Sequence, residues 1–359
     1  MLKRIYLARP VVGINEINEL KKVIKSKFLT EGKITRKFEN EVANYVGSKF
    51  AVATTSATTA LHTSFECMKV KGKKVLVSDF TFPATAQAII LAGGIPVLVD
   101  VEIETMNVSR GIIESSINKT IKFISPVSLF GNPLDRNFYD LKKNGLKIIE
   151  DAATNLGVKI GKKYVGSLAD VTCFSFHPRK IITTGEGGMI TTNDRKIAEK
   201  LRSYKLFGKN KSFFVNKGTN YKLSDLLSAI GLSQLRKIEN IIKKRSSIGK
   251  IYDEFLSKID FIEVQKPTLN SRHTRQSYVC YITKPNLRNK IMKSLAKKNI
   301  ESQIGTYALH CLPVFRKCKK IGKLENSEFL YKNSLTLPLH EELSLRDQEF
   351  ICKILRSVK

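Results

Sequence analysis

Cys173-Phe174-Ser175-Phe176-His177-Pro178-Arg179-Lys180-Ile181-Ile182-Thr183-Thr184-Gly185-Glu186-Gly187-Gly188 runs from an apolar strand through a proline turn to a lysine, then through a glycine-rich segment into a second strand, Met189–Thr192. The glycines lack the G-x-G-x-x-G spacing and lead into a strand instead of a helix, so they do not make a dinucleotide loop. A lysine between an apolar strand and a glycine turn loses its proton more easily than a solvated one. Upstream, strand-length apolar runs at Phe50–Ala53, Val75–Val77, Ile95–Val99, Ile121–Ile124 and Leu146–Ile149 alternate with helical stretches near 58–69, 84–92, 110–117 and 135–143. That alternation predicts an α/β fold with a mostly parallel sheet. Ligands of such sheets gather at the carboxyl ends of the strands.

The residues at those ends are therefore the ones to inspect. After the first strand, Thr54-Thr55-Ser56-Ala57-Thr58-Thr59 runs into a helix. Free N–H groups and hydroxyls there suit a phosphate, although an ordinary Ser/Thr helix cap has the same pattern. After the second, Asp79-Phe80-Thr81-Phe82-Pro83-Ala84-Thr85 places Phe82 where it could stack on a flat ligand or join the core. After the fifth, Glu150-Asp151-Ala152-Ala153 puts carboxylates at the end of a buried strand. A buried carboxylate requires a cation, a metal or a capping role, and a positive group near Asp151 is the expectation.

A chain of 359 residues with 42% hydrophobic residues can bury a large core. The formal charge of +30 is spread over lysine pairs with no nucleic-acid-reading motif, so it reads as solvated surface that favours an anionic substrate. The six cysteines show no ligand-like clustering with the histidines; they read as buried thiols of a reducing compartment, and no metal site is expected. The first ten residues lack the apolar core of a secretory signal, so a cytoplasmic location is expected. Residues 80–99 carry no charge, but Pro83, Gln87, Gly93, Gly94 and Pro96 argue for a loop, short helix, turn and strand, and no membrane association is expected. Leu223, Leu226, Leu227, Ile230 and Ile238 have helical spacing and predict a helix with one buried face. Tyr278–Ile282, a helical stretch at 287–298 and a closing helix at 345–357 suggest a small α+β unit.

Taken in order, the segments 54–61, 81–85, 150–153, 175–180 and 184–188 resemble the motifs of the DegT/StrS-type sugar aminotransferases, which depend on pyridoxal 5'-phosphate (PLP). The resemblance spans nearly the whole chain, including Phe28-Leu29-Thr30-Glu31-Gly32, Phe38-Glu39 and Leu335–Leu339. It implies the aspartate-aminotransferase-like type I fold, with a large PLP-binding domain at 1–240, an N-terminal arm over about 1–35, and a smaller C-terminal α+β domain at 241–359. By position, Lys180 becomes the Schiff-base lysine and Asp151 the partner of the pyridine nitrogen. Ser56, Ala57, Thr58 and Ser175 fall at the phosphate, Phe82 on the ring, and Thr154 beside the phenolic oxygen. Asn220, in Thr219-Asn220-Tyr221-Lys222, is implied to reach the neighbouring subunit's cofactor, which implies a homodimer with shared sites. His177, Arg179, Lys222 and His310 are candidate substrate contacts.

Four positions depart from the family pattern. Ala57 replaces a glycine and requires a negative φ there. Ser128 replaces a frequent histidine, Thr154 a glutamine and Lys222 an arginine. The implied activity is transfer of an amino group from an amino-acid donor, glutamate by analogy, to a nucleotide-linked keto sugar, a 4-keto-6-deoxy hexose, for glycan or polysaccharide biosynthesis. Some relatives of this type are PLP-dependent dehydratases, in which histidine replaces the lysine. A non-catalytic, nucleic-acid-binding use of the fold is the remaining alternative.

Overall fold

The computed structural model describes residues 4–358; Met1–Lys3, the start of the segment read as lacking a secretory signal, and Lys359 lie outside the described residues. An eight-stranded sheet forms the centre. Its spatial order is Phe50–Thr54, Gly188–Thr192, Val171–Ser175, Lys147–Asp151, Ile121–Ser125, Lys74–Ser78, Ile95–Val99 and Lys319–Lys320. Gly188–Thr192 runs antiparallel to both of its neighbours, and the remaining pairs are parallel. The carboxyl ends after Thr54, Ser78, Ser125, Asp151 and Ser175 therefore share one edge of the sheet, as the sequence reading requires.

The pleat sorts the strand residues between two cores. Ala51, Ala53, Ile148 and Phe174 pack with Phe38 and Val42 of helix Lys33–Val46. Val52, Ile149, Val171 and Cys173 pack on the other face with Leu61, Phe65 and Ile89, from helices Ala57–Cys67 and Ala84–Leu91. Because side chains alternate along a strand, Glu150 follows Ile148 and Asp151 follows Ile149 to opposite faces. The uncharged stretch at 80–99 folds as strand Phe80–Thr81, helix Ala84–Leu91 and strand Ile95–Val99, in keeping with its prolines and glycines. Among the described residues no helix is long and apolar enough to cross a membrane.

A further apolar cluster contains Tyr252, Tyr278, Cys280, Ile291, Leu335 and Ile351. It lies between the antiparallel strands Ile262–Val264, Tyr278–Ile282 and Ser334–Leu337 and helices Ile238–Leu256, Leu287–Ala296 and Leu345–Ser357. Ile5 of the N-terminal arm joins this cluster and bridges to Ile300. Residues 307–320 return to the carboxyl edge of the large sheet: Tyr307–Ala308 pairs with Phe80–Thr81 as a separate two-stranded sheet, and Lys319–Lys320 joins the large sheet beside Ile95–Val99.

Three local expectations differ from the structure. Arg136–Asn144 is a 3-10 helix, and Asn137, Asp140 and Asn144 are short polar residues that favour turns over regular helix. Helix Asp225–Arg236 buries Ser228, Ala229, Leu232 and Leu235, leaving Leu226, Leu227 and Ile230 half-buried. The close approach explains this choice: a Cβ on Gly231 would lie 2.5 Å from the Phe38 ring, so the small-residue face is the one that fits. Of the six cysteines, Cys173, Cys280 and Cys352 are buried, whereas Cys67, Cys311 and Cys318 are partly exposed.

Candidate active site

A cavity of about 780 Å³ opens at the carboxyl edge of the sheet. Ser56, Ala57, Thr58, Phe82, Asp151, Thr154, Ser175, His177, Arg179 and Lys180 all line it, so most of the candidate residues converge. Asp151 ends its strand with 5% of its surface exposed. Thr85 donates its hydroxyl to Asp151 Oδ2 at 2.6 Å, and the Ala153 N–H donates to Oδ1 at 3.0 Å. Burial pushes the Asp151 carboxyl above its usual range, and these two bonds and the nearby Lys180 charge pull it back in part. Burial likewise lowers the Lys180 amine below its ordinary value, opposed by attraction to Asp151. Thr85 had no assigned role in the sequence, although it closes the quoted Thr81–Thr85 turn. Its hydroxyl reaches Asp151 because helix Ala84–Leu91 covers the face that Asp151 shares.

The phosphate-like turn is built as a capped helix start. Ser56 Oγ accepts the Thr59 N–H at 3.1 Å, and the Ser56 N–H donates to Thr59 Oγ1 at 2.9 Å. That box leaves Ala57 and Thr58 on the cavity wall. Ala57 is the first residue of the helix and is not among the positive-φ residues, so it meets the condition for replacing glycine. Gly188 is a residue the sequence reading quoted without a role. It pairs with both Thr54 and Ser175, and a Cβ placed on it would lie 2.3 Å from the Ser56 carbonyl oxygen. Glycine is needed there for close approach, not for an unusual φ.

Phe82 is 63% exposed and meets the cavity residue Tyr307 at 6.3 Å between ring centres. It is therefore free to stack on a ligand. Thr154 Oγ1 donates to the Ser128 carbonyl at 2.8 Å, and Ser128 Oγ donates to Glu150 Oε1 at 3.0 Å. Tyr139 also donates to Glu150, and burial pushes the Glu150 carboxyl up to about 7. Ser175 Oγ accepts the His177 N–H, and burial lowers the His177 imidazole below its ordinary value. Arg179 donates to Gln303 Oε1 at 2.6 Å across the cavity.

Three candidates lie off the cavity walls. Lys222 donates to Asn220 Oδ1 at 2.6 Å, and its ammonium sits 5.0 Å from the centre of the Phe207 ring. His310 is bound to the buried Asp79, by its N–H to Oδ1 at 2.9 Å and by Nδ1 to Oδ2 at 2.6 Å. This pairing fixes the segment that carries Tyr307 into the cavity.

The residues present fit PLP. Asp151 offers a buried carboxylate whose hydrogen-bond donors are neutral, which suits a protonated ring nitrogen; Lys180 offers a desolvated amine, and the Ser56–Thr58 turn offers free helix-start donors. The α/β fold, with this lysine and carboxylate on one cavity, defines a type I PLP enzyme. The chain belongs to the DegT/DnrJ/EryC1/StrS aminotransferase family, whose pattern matches residues 11–356. It is 31% identical over 357 residues to the UDP-4-amino-4,6-dideoxy-N-acetyl-beta-L-altrosamine transaminase of Campylobacter jejuni strain 81-176, covering 96% of this chain and 94% of that one. It is 32% identical over 368 residues to the GDP-perosamine synthase of Caulobacter vibrioides, covering 99% of each. The structure superposes on Helicobacter pylori PseC, an aminotransferase involved in the biosynthesis of pseudoaminic acid, with a TM-score of 0.92 at 27% identity over 98% of each chain.

Proposed function

We propose that the chain transfers an amino group from glutamate to a nucleotide-linked 4-keto-6-deoxy sugar in glycan biosynthesis. The observation that carries this reading is the shared cavity of a desolvated Lys180 and a buried Asp151 whose oxygens receive neutral donors. In it, Asp151 holds the ring nitrogen protonated, Ser56, Ala57, Thr58 and Ser175 bind the phosphate, and Phe82 covers the ring. Thr154 lies at the phenolic oxygen. His177 and Arg179 contact the substrate from the cavity wall. The names of two relatives specify UDP- and GDP-linked products, and one of them is a 4-amino-4,6-dideoxy sugar, which supports an anionic nucleotide substrate aminated at carbon 4. The charge of +30 favours such a substrate.

When bound, the cofactor supplies an electron sink for the pair left as a proton departs. The chain supplies the rest. Lys180 would hold the cofactor, and once freed its amine would take the donor's α-proton and give a proton back as the donor leaves as its 2-oxo acid. A lowered Lys180 pKa favours this because the neutral amine is the base. For the keto sugar, whose carbonyl oxygen leaves as water, the Lys180 amine would move the proton in the opposite direction.

The half-exposed Leu226, Leu227 and Ile230, with the exposed Phe207, Phe213, Phe214 and Val215, support a homodimer. In that dimer Asn220 and Lys222 serve the neighbouring subunit's site, in keeping with their place off this chain's cavity. A cytoplasmic location suits a nucleotide-sugar substrate. Lys180 argues against the dehydratase reading, and the intact pair with Asp151 argues against a non-catalytic one. The test is amino transfer from glutamate to a panel of UDP- and GDP-linked keto sugars, with mass detection of the amino sugar. Turnover of at least one 4-keto-6-deoxy sugar is expected; sugar deoxygenation without amino transfer would overturn the proposal.

A further inference from the structure

Strand Phe50–Thr54, which leads into the Ser56–Thr58 turn, is an edge strand paired on one side with Gly188–Thr192. On its open side, backbone groups that a further strand would have bonded are met by charged side chains. The Ala53 N–H donates to Glu39 Oε1 at 2.8 Å, and the Ala53 carbonyl accepts Lys205 Nζ at 2.9 Å. The Ala51 carbonyl accepts Arg202 at 2.8 Å. Lys205 also contacts Glu39 Oε1 at 3.1 Å and Glu31 Oε2 at 2.9 Å, while Arg202 contacts Glu39 Oε2 at 2.6 Å. Both the Lys205 and Glu39 side chains are 1% exposed.

A buried ion pair contributes little net stability, because desolvation of both charges offsets their attraction. What it does fix is geometry. The two cations balance the two carboxylates, and every contact to the strand falls on Ala51 or Ala53, just before the turn. We propose that Lys205, paired with Glu39, is a positioning residue for the cofactor's phosphate: it sets where the end of the edge strand delivers the Ser56–Thr58 turn. This inference rests on the reading of that turn as the phosphate site.

The test is titration of the apoprotein with PLP, read by absorbance, alongside thermal melting. The double variant Lys205→Met/Glu39→Gln removes the fully buried pair together; Glu31 and Arg202, the charges it leaves, have side chains 19% and 42% exposed. It is expected to melt near the wild-type temperature yet bind PLP at least about tenfold more weakly, since a displacement of about 1 Å at a binding group carries losses of that order or more. Lys205→Arg keeps the charge but adds volume and a different donor geometry in a buried place, so its affinity is expected to lie between the double variant and wild type. Wild-type affinity in the folded double variant would overturn the inference. Should that variant not fold, Glu39→Gln alone decides: weakened PLP binding supports the proposal and unchanged binding overturns it. Thr58→Ala and Ser175→Ala serve as controls for the underlying reading. If they leave PLP affinity intact, the turn is not the phosphate site; if they weaken it and the Lys205 and Glu39 variants do not, the positioning role alone fails.

Discussion

Gly188→Ala tests the site by a change of one methyl group. Gly188 does not have a positive φ, so alanine can adopt its backbone conformation, and the obstacle is space. The added Cβ would lie 2.3 Å from the Ser56 carbonyl oxygen, 2.5 Å from its carbonyl carbon and 2.8 Å from the Ala57 nitrogen. Ordinary contact begins at 3.4 Å, so about 1 Å of separation has to be found between backbones. Gly188–Thr192 is held on both sides, whereas Phe50–Thr54 is an edge strand, so the Ser56–Ala57 turn is the part that yields. Overpacking of this kind costs about 1–3 kcal/mol in stability. A shift of about 1 Å in a phosphate-binding turn is expected to weaken PLP by about tenfold or more, or at least about 1.4 kcal/mol. Gly187→Ala is the comparison: its new Cβ meets the Thr184 hydroxyl at 2.4 Å, a side chain hydrogen-bonded to the Glu186 carbonyl, and not the Ser56–Ala57 backbone, so stability should fall while the effect on PLP is smaller. PLP titration and melting curves of both variants check the argument. Gly188→Ala with wild-type PLP affinity would refute it.

Asp151→Asn keeps a group that can bond Thr85 and Ala153 but removes the negative charge, so PLP should remain bound while amino transfer falls about a hundredfold or more. Rapid mixing with glutamate, followed by absorbance, should place that loss in the proton-transfer step; near-wild-type turnover with full occupancy would assign the ring nitrogen to another residue. Borohydride should attach the cofactor at Lys180, found by peptide mass mapping, and Lys180→Ala should lose turnover with its melting temperature retained. Mixing inactive Lys180→Ala and Asn220→Ala chains should recover part of the activity if Asn220 serves the neighbouring subunit, whereas no recovery under proven subunit exchange would place the whole site in one chain. Glu150→Gln should flatten the dependence of melting temperature on pH. The folded chain holds the Glu150 proton up to about 7 against 4.5 for the free group, so its stabilising share is full below pH 4.5 and is lost as pH rises through about 7. That share amounts to about 3 kcal/mol, and an identical pH slope in wild type and variant would exclude Glu150 as its source.

The central strands were legible because a parallel sheet covered on both faces demands short continuous apolar runs, and Phe50–Ala53, Val75–Val77 and Ile95–Val99 are such runs. Lys180 took its role from the resemblance of the ordered motifs, whereas Asp151 stood out as a carboxylate ending a buried strand. Thr85 did not, since a threonine at a helix start reads as a cap until the fold brings it to a carboxylate 66 positions away. Lys205 and Glu39, 166 positions apart, were hidden for the same reason, each being an ordinary charged residue within its own helix or helix end. The buried face of helix Asp225–Arg236 was misread for a different reason. Periodicity weighs large apolar residues, whereas the close approach of Phe38 to Gly231 and of Thr35 to Ser228 selects a face of small residues.

The adjacent carboxylates Glu150 and Asp151 show how one strand end places two buried acids in different surroundings. The pleat sends them to different faces, Asp151 to the cavity and Glu150 to the core beneath it. Asp151 meets the cavity that takes a cationic ring, and its proposed role needs a negative charge. Glu150 meets only hydroxyl donors, from Ser128 and Tyr139, and burial with the neighbouring Asp151 charge pushes its carboxyl up to about 7. Below about pH 7 the proton on Glu150 removes a second buried negative charge from beside Asp151. The Ser128 hydroxyl serves this arrangement while its backbone serves the site, since its N–H donates to the Asp151 carbonyl at 3.1 Å and its own carbonyl accepts Thr154. Ser128 and Thr154, two of the departures from the family pattern, are therefore one linked unit: their hydrogen bonds run from Glu150 in the core to the cavity wall beside Asp151.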